Sequence, residues 1–240
     1  MAEEDMSPEL PQGVAPATPL LTMQRDVVRQ AMSRSFALTM DELLVLRDLD
    51  GQPMRPMLPP PGVTPRDSAA LLLLYPSEGE LWLPLTVRST RLTTHRGEVS
   101  LPGGRTDPQD DGPIGTALRE AWEELGIRTS YVEPLGTLTP FYIPPSNSRL
   151  TPVVGLSLVE PDLHPNPDEV EAAFSVPLRC LFDPAIVQEE IWERGSVRMR
   201  VPFFALEGYK VWGATALLLS ELLARMRRVA ESVSVDTPPG

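Results

Sequence analysis

Lysine is nearly missing from this chain: Lys210 is the one lysine among 21 Lys and Arg residues, and His95 and His164 are its only histidines. Two histidines are too few for a histidine-built zinc cluster and point away from a Ser/His/Asp triad, so both read as loop residues. The single cysteine, Cys180, excludes an internal disulfide. It lies among apolar neighbours with no basic pair to activate it, and reads as a small core residue. No apolar run approaches the roughly 18 to 20 residues of a membrane span, the longest being Ala69 to Tyr75. The first residues are acidic rather than basic and apolar, so a secretory signal is not expected and the chain reads as soluble and cytoplasmic. A net charge of −12 argues against nonspecific binding to nucleic acid or to a membrane surface.

The 240 residues present suffice for one sizeable core. Residues 1–18 are acidic and proline-rich and read as disordered, as does the tail 231–240. Residues 19–62 read as a helical arm and a proline-rich linker. Met23 to Leu38 and Met40 to Asp48 have helix-like apolar spacing and suit packing or a dimer interface, so a homodimer is an open expectation. Pro53 to Gly62 is stiff. One domain follows over 63–230, of α/β class. Strands are expected at Ser68 to Tyr75, Glu80 to Arg88, Glu98 to Leu101, Val132 to Tyr142, Leu150 to Val159 and Ala172 to Val176. A hairpin is expected from Val187 to Leu206 about Gly195-Ser196, then a closing helix from Thr215 to Val229.

The informative segment is Arg119-Glu120-Ala121-Trp122-Glu123-Glu124-Leu125-Gly126-Ile127, which follows Leu101-Pro102-Gly103-Gly104 by a short loop. In a helix, Glu120, Glu123 and Glu124 share one face at i, i+3 and i+4 and can converge. Three like charges so placed repel unless a hard cation such as Mg²⁺ or Mn²⁺ sits among their oxygens. Pro113 suits the first turn, Asp110 or Asp111 can cap it, and Gly126 suits the left-handed residue at its end. Ala117, Leu118, Ala121 and Leu125 form the opposite, apolar stripe, fit to pack on a sheet. The Gly103-Gly104 pair lets backbone approach a metal or phosphate, and a Gly104 carbonyl can be an oxygen ligand.

Gly104 through Ile127 resembles the signature of the Nudix hydrolases, G-x5-E-x7-R-E-U-x-E-E-x-G-U with U apolar. From Gly104 to Arg119 there is one residue more than that pattern allows, and Asp111 stands eight before Arg119, where the family has Glu. The resemblance implies an α/β/α sandwich around a mixed sheet and metal-dependent hydrolysis of a diphosphate linked to another group. By the same match Glu120 and Glu124 are the main metal ligands, Glu123 is a further ligand or a base, and Arg119 orients the carboxylates. Asp111 would substitute for the missing Glu.

Upstream, Leu85-Thr86-Val87-Arg88-Ser89 and Gly97-Glu98-Val99-Ser100-Leu101-Pro102-Gly103-Gly104 resemble the extra motif of coenzyme A diphosphatases. Pro84, Thr93 and Leu101 depart from it, the last in place of Phe and Thr93 in place of an Arg. Pro165 to Glu171, Val176-Pro177-Leu178 and Val211 to Ala216 are similar to later segments of that subfamily. The implied substrate is coenzyme A or a derivative, giving 3′,5′-ADP and 4′-phosphopantetheine. An acidic protein needs local cations to hold such an anion, and Arg88, Arg91, Arg96 and Arg105 are the candidates, Arg88 foremost. Asp168 to Glu171 can supply a base from outside the helix, with Glu171 the better placed. Pro144 to Ser148 reads as a surface turn or an active-site loop. Two alternatives stand: a Nudix hydrolase of ordinary or oxidised nucleoside triphosphates or dinucleotides, motivated by Thr93 and Tyr142, and a binding module using Trp192, Trp212 or the arm.

Overall fold

The computed structural model describes residues 18–54, 57–89 and 97–235. The expectations for residues 1–17 and 236–240 lie outside them, and so do Arg91, Thr93, His95 and Arg96.

Strand β1 (Arg66–Ser77) is the axis of the fold. Its run from Ala69 to Leu74 is buried on both faces, as an almost uninterrupted apolar sequence requires. Ala69, Leu71 and Leu73 pack against helix α2 (Gly112–Leu125) through Ala117, Ala121 and Leu125. Ala70, Leu72 and Leu74 face the larger core, where α1 (Pro19–Ser33) contributes Val28 and α3 (Gly213–Val235) contributes Leu219, Leu222 and Leu223. The result is a sheet with helices on both sides.

That sheet has eight strands, with β3 (Val99–Ser100), β2 (Glu80–Arg88), β1, β7 (Ser148–Ser157) and β5 (Val132–Thr137) in order. β1 and β7 run parallel over nine register pairs, whereas the other pairings are antiparallel. β8 (Val170–Pro177) pairs with β2, and β6 (Phe141–Ile143) with β7. One departure positions the site. β2 leaves β1 after Leu81 and Trp82, and the first half of β1 takes β4 (Gly103–Arg105) as its partner instead. The sheet therefore opens between β4 and the far end of β2. A second sheet of three strands, β9 (Val187–Arg194), β10 (Val197–Leu206) and β11 (Tyr209–Trp212), turns at Gly195-Ser196 as expected.

The arm packs on its own chain. Thr18 caps α1 by accepting from Leu21 N–H, Gln24 Oε1 accepts from Leu81 N–H at 2.7 Å, and Arg29 pairs with Glu133 on β5. Met40 to Asp48 is not a second helix: a single 3-10 turn at Met40–Glu42 is followed by extended chain that bridges Arg47 to Arg200. The spacing there reflects Val45 reaching the core from an irregular segment. Residues 231–235, expected in a disordered tail, continue α3. Cys180 is only partly buried, because Leu178 and Leu181 take the core positions of its 3-10 turn.

Replacing Leu72, wholly buried at the centre of β1, by Ala is expected to cost about 3 kcal/mol in urea unfolding followed by circular dichroism. A loss under about 1 kcal/mol would mean that the larger core does not close on this strand.

Candidate active site

Helix α2 presents its carboxylates to the gap between β4 and β2. Pro113 occupies the first turn, and Gly126 ends the helix at φ 68°, its N–H reaching the carbonyls of Ala121 and Trp122. Asp111 stands at the N-cap, but its side chain makes no capping bond.

Arg119 organises the helix face. Its Nε and Nη2 donate to Asp110 Oδ1 and Oδ2 at 2.9 and 3.1 Å, a two-pronged bond that the planar guanidinium favours. Nη1 donates to Glu120 Oε1 at 2.8 Å and Glu123 Oε2 at 2.9 Å, and Nη2 also donates to the carbonyl of Arg105. Asp110 is held from its other side by the Asp107 N–H and by the buried Thr116 hydroxyl. These bonds, with Arg119 the largest influence, keep Asp110 well below the usual carboxylate range, and in return Arg119 is held more firmly in its charged form.

Glu120 and Glu124 are in the opposite state. Glu124 is 2% exposed, and burial pushes its carboxyl from 4.5 up to about 8, against the pull of Arg88 and of a hydrogen bond from the Gly103 backbone. Burial likewise raises Glu120 against the pull of Arg119. Glu169, in the turn before β8, adds to both shifts through its charge. Arg88, half-buried at the end of β2, has a buried Nε with no hydrogen-bond partner among the described residues.

The glycines make this approach possible. A Cβ on Gly104 would lie 2.5 Å from Glu120 Cδ and 2.6 Å from its Oε2, and one on Gly103 would lie 2.6 Å from Ala70 Cα. The donor set suits a hard divalent cation: two carboxylates whose charged forms burial disfavours unless positive charge is supplied, beside backbone that only glycine permits. Among the described residues no three His, Cys, Asp or Glu side chains are already gathered to hold an ion, because Glu123 is turned to Arg119.

Comparison with known proteins agrees with this geometry. The family model of the NUDIX domain matches residues 64–194. The chain belongs to the Nudix family. It is 37% identical over 182 residues to the uncharacterized Nudix hydrolase NudL of Yersinia enterocolitica, covering 74% of this chain and 88% of that one. It is 36% identical over 157 residues to the mitochondrial coenzyme A diphosphatase NUDT8 of Homo sapiens, covering 64% and 66%. Nudix hydrolase 15, mitochondrial, of Arabidopsis thaliana is 35% identical, covering 73% and 61%. Among solved structures, the Nudix hydrolase RenU of M. smegmatis matches with a TM-score of 0.45 and 16% identity, over 81% of this chain and 97% of that one.

At the Nudix helix the structure corrects one expectation. Asp110, not Asp111, clamps Arg119, so the extra residue of the signature falls between Asp110 and Arg119 rather than before Asp110. Gly112, with φ 63°, turns the chain there and leaves Asp111 at the helix entrance. Of the acidic stretch Asp168 to Glu171, Glu169 is a charge that acts on Glu120 and Glu124, and Glu171 is exposed on β8. The signal for Glu169 was present in the sequence as Asn166-Pro167-Asp168-Glu169, a turn composition that directs the residue after it.

The remaining candidates divide. Glu120, Glu124, Arg88 and Gly104 meet at the gap, and Glu123 stands at its rim, its side chain 48% exposed. Arg105 contributes its carbonyl to Arg119 while its side chain is exposed. Arg96 lies outside the described residues. Tyr142 is 6% exposed and its hydroxyl bonds Asn147 Oδ1, so its ring is committed to the Pro144–Ser146 turn. His164 sits in a loop, as expected, beside Asp162.

Asp110→Asn is expected to lower kcat/KM about tenfold or more by loosening Arg119 and with it Glu120, whereas Asp111→Asn leaves activity within about twofold. Steady-state kinetics on the two variants decide it; equal effects would return the clamp to Asp111.

Proposed function

We propose that this Nudix hydrolase cleaves the diphosphate of coenzyme A or its derivatives, releasing 3′,5′-ADP and 4′-phosphopantetheine. The observation that carries the reading is the buried carboxylate Glu124 beside Arg88, whose buried Nε has no hydrogen-bond partner among the described residues. Arg88 belongs to the segment that resembles the coenzyme A diphosphatase motif, and one relative bears that activity in its name.

Glu120 and Glu124, with the Gly104 carbonyl, would hold Mg²⁺ or Mn²⁺. The ion supplies neutralisation of diphosphate charge and a lowered pKa for attacking water. Arg88 binds non-bridging oxygens through charge-assisted hydrogen bonds, with Arg96 and Arg105 as further cations. Arg119 keeps Glu120 and Glu123 aimed while leaving Glu124 free of it. Glu169, with Glu171 and Glu123 as the reserve candidates, accepts a proton as water adds to one phosphorus. The bond from that phosphorus to the bridging oxygen breaks, and the other phosphate leaves with the electron pair. Because burial already disfavours extra negative charge here, the arriving diphosphate has to be met by fixed cations, the role assigned to Arg88.

No helix among the described residues is long and apolar enough to cross a membrane. A cytoplasmic setting belongs to this same proposal and is consistent with one free cysteine. Of the two residues that motivate the nucleotide alternative, Tyr142 is buried and bonded to Asn147, and Thr93 lies outside the described residues.

Incubating coenzyme A, its acyl forms, NADH, ADP-ribose, diadenosine polyphosphates and nucleoside triphosphates with Mg²⁺ or Mn²⁺, with chromatography of products, tests the reading. Selective release of 4′-phosphopantetheine is expected, reduced more than about 100-fold by Glu124→Gln and with KM raised about tenfold by Arg88→Ala. Intact coenzyme A after prolonged incubation overturns the substrate.

A further inference from the structure

The loop from Asp162 to Glu169, between β7 and β8, docks on the last turn of α2. His164 N–H donates to the carbonyl of Leu125 and Asn166 N–H to that of Glu124, both at 2.8 Å. These are carbonyls that a helix end leaves without intrahelical partners, so the loop caps the very turn that carries Glu124. Asn166 then closes a tight turn on its other side. Its carbonyl accepts from Glu169 N–H at 3.1 Å and Val170 N–H at 2.8 Å, and its side-chain Oδ1 accepts from Asp168 N–H at 3.1 Å.

The far side of the turn is equally fixed. The Glu169 carbonyl accepts from the buried Ser89 N–H at 2.8 Å, next to Arg88, and Val170 is 3% exposed in the cluster that contains Ala121 and Leu125. A path of short bonds thus runs from the Glu124 backbone through Asn166 to Glu169. Asparagine followed by proline is apt for it: Asn side chains bond backbone two residues on, and Pro167 presets the next φ.

We propose that Asn166 is a positioning residue: its side-chain amide locks the turn that holds the Glu169 carboxylate over Glu120 and Glu124. The inference rests on the role given to Glu169 above. Asn166 touches no substrate; it acts through Glu169. Removing Oδ1 leaves the three backbone bonds of residue 166 in place, so the loop stays docked while Glu169 loses its fixed direction.

A double-mutant cycle tests this on the full chain, with kcat for coenzyme A and the Mn²⁺ dissociation constant by calorimetry as separate readouts. Asn166→Ala is expected to lower kcat about tenfold at nearly constant KM and to weaken Mn²⁺ binding several-fold. Asn166→Asp, which keeps the acceptor, restores both to within about threefold. In a Glu169→Gln background, Asn166→Ala adds nothing further. Additive losses in that background, failure of Asn166→Asp to rescue, or wild-type values for Asn166→Ala each overturn the proposal. If the unsubstituted protein leaves coenzyme A intact, the substrate reading fails, and the Mn²⁺ cycle alone decides Asn166.

Discussion

One guanidinium group carries the active site. Arg119 donates five hydrogen bonds, two to Asp110, one each to Glu120 and Glu123, and one to the carbonyl of Arg105. These tie the loop before α2, strand β4 and the outer face of the helix to a single rigid fork. A lysine could not satisfy so many acceptors in fixed directions. What Arg119 does not touch is as consequential. Glu124 is left without that cation, wholly buried, and its charge has to be balanced by Arg88 or by something that binds.

The sheet supplies the other half of the arrangement. Because β1 exchanges β2 for β4 midway, the two strands that frame the site, β4 with its glycines and β2 with Arg88, are anchored to the core and yet separated. The apolar faces of β1 fix the depth of α2, which in turn sets how far Glu124 is desolvated. Fold stability and the electrostatic state of the site are thus linked through the same contacts, Ala117 and Ala121 against Ala69 and Leu71.

Much of this was legible in the residues. The α2 pattern, the doubly buried β1, the β9–β10 turn at Gly195-Ser196 and the closing helix each follow from strong periodicity or turn chemistry. What escaped had weak local signals. β4 is three residues long and begins with two glycines, so only its partner β1 makes it a strand. β11 has four residues. Met40 to Asp48 mimics a helix because Leu43, Leu44 and Val45 all reach the core from irregular chain. The exchange of Asp111 for Asp110 turns on one positive φ at Gly112, which neighbouring carboxylates do not encode. Glu171 leads an apolar strand and is exposed there, whereas Glu169 sits in the turn that Asn166 closes, a position set by hydrogen bonds rather than by strand periodicity.

The central claim is that the buried Glu124 keeps a proton until a divalent cation replaces it. With Glu124 near 8, the metal-free protein holds that proton at pH 7, and ion binding must expel it. Calorimetric titration with Mn²⁺ or Mg²⁺ at pH 7, in buffers of different ionisation heat, counts the protons directly. The account predicts release of about one proton per ion, affinity that rises with pH and levels off above about pH 8, and loss of the release in Glu124→Gln. Binding heats independent of buffer at pH 7 would contradict it, since Glu124 would then be ionised before any cation arrives.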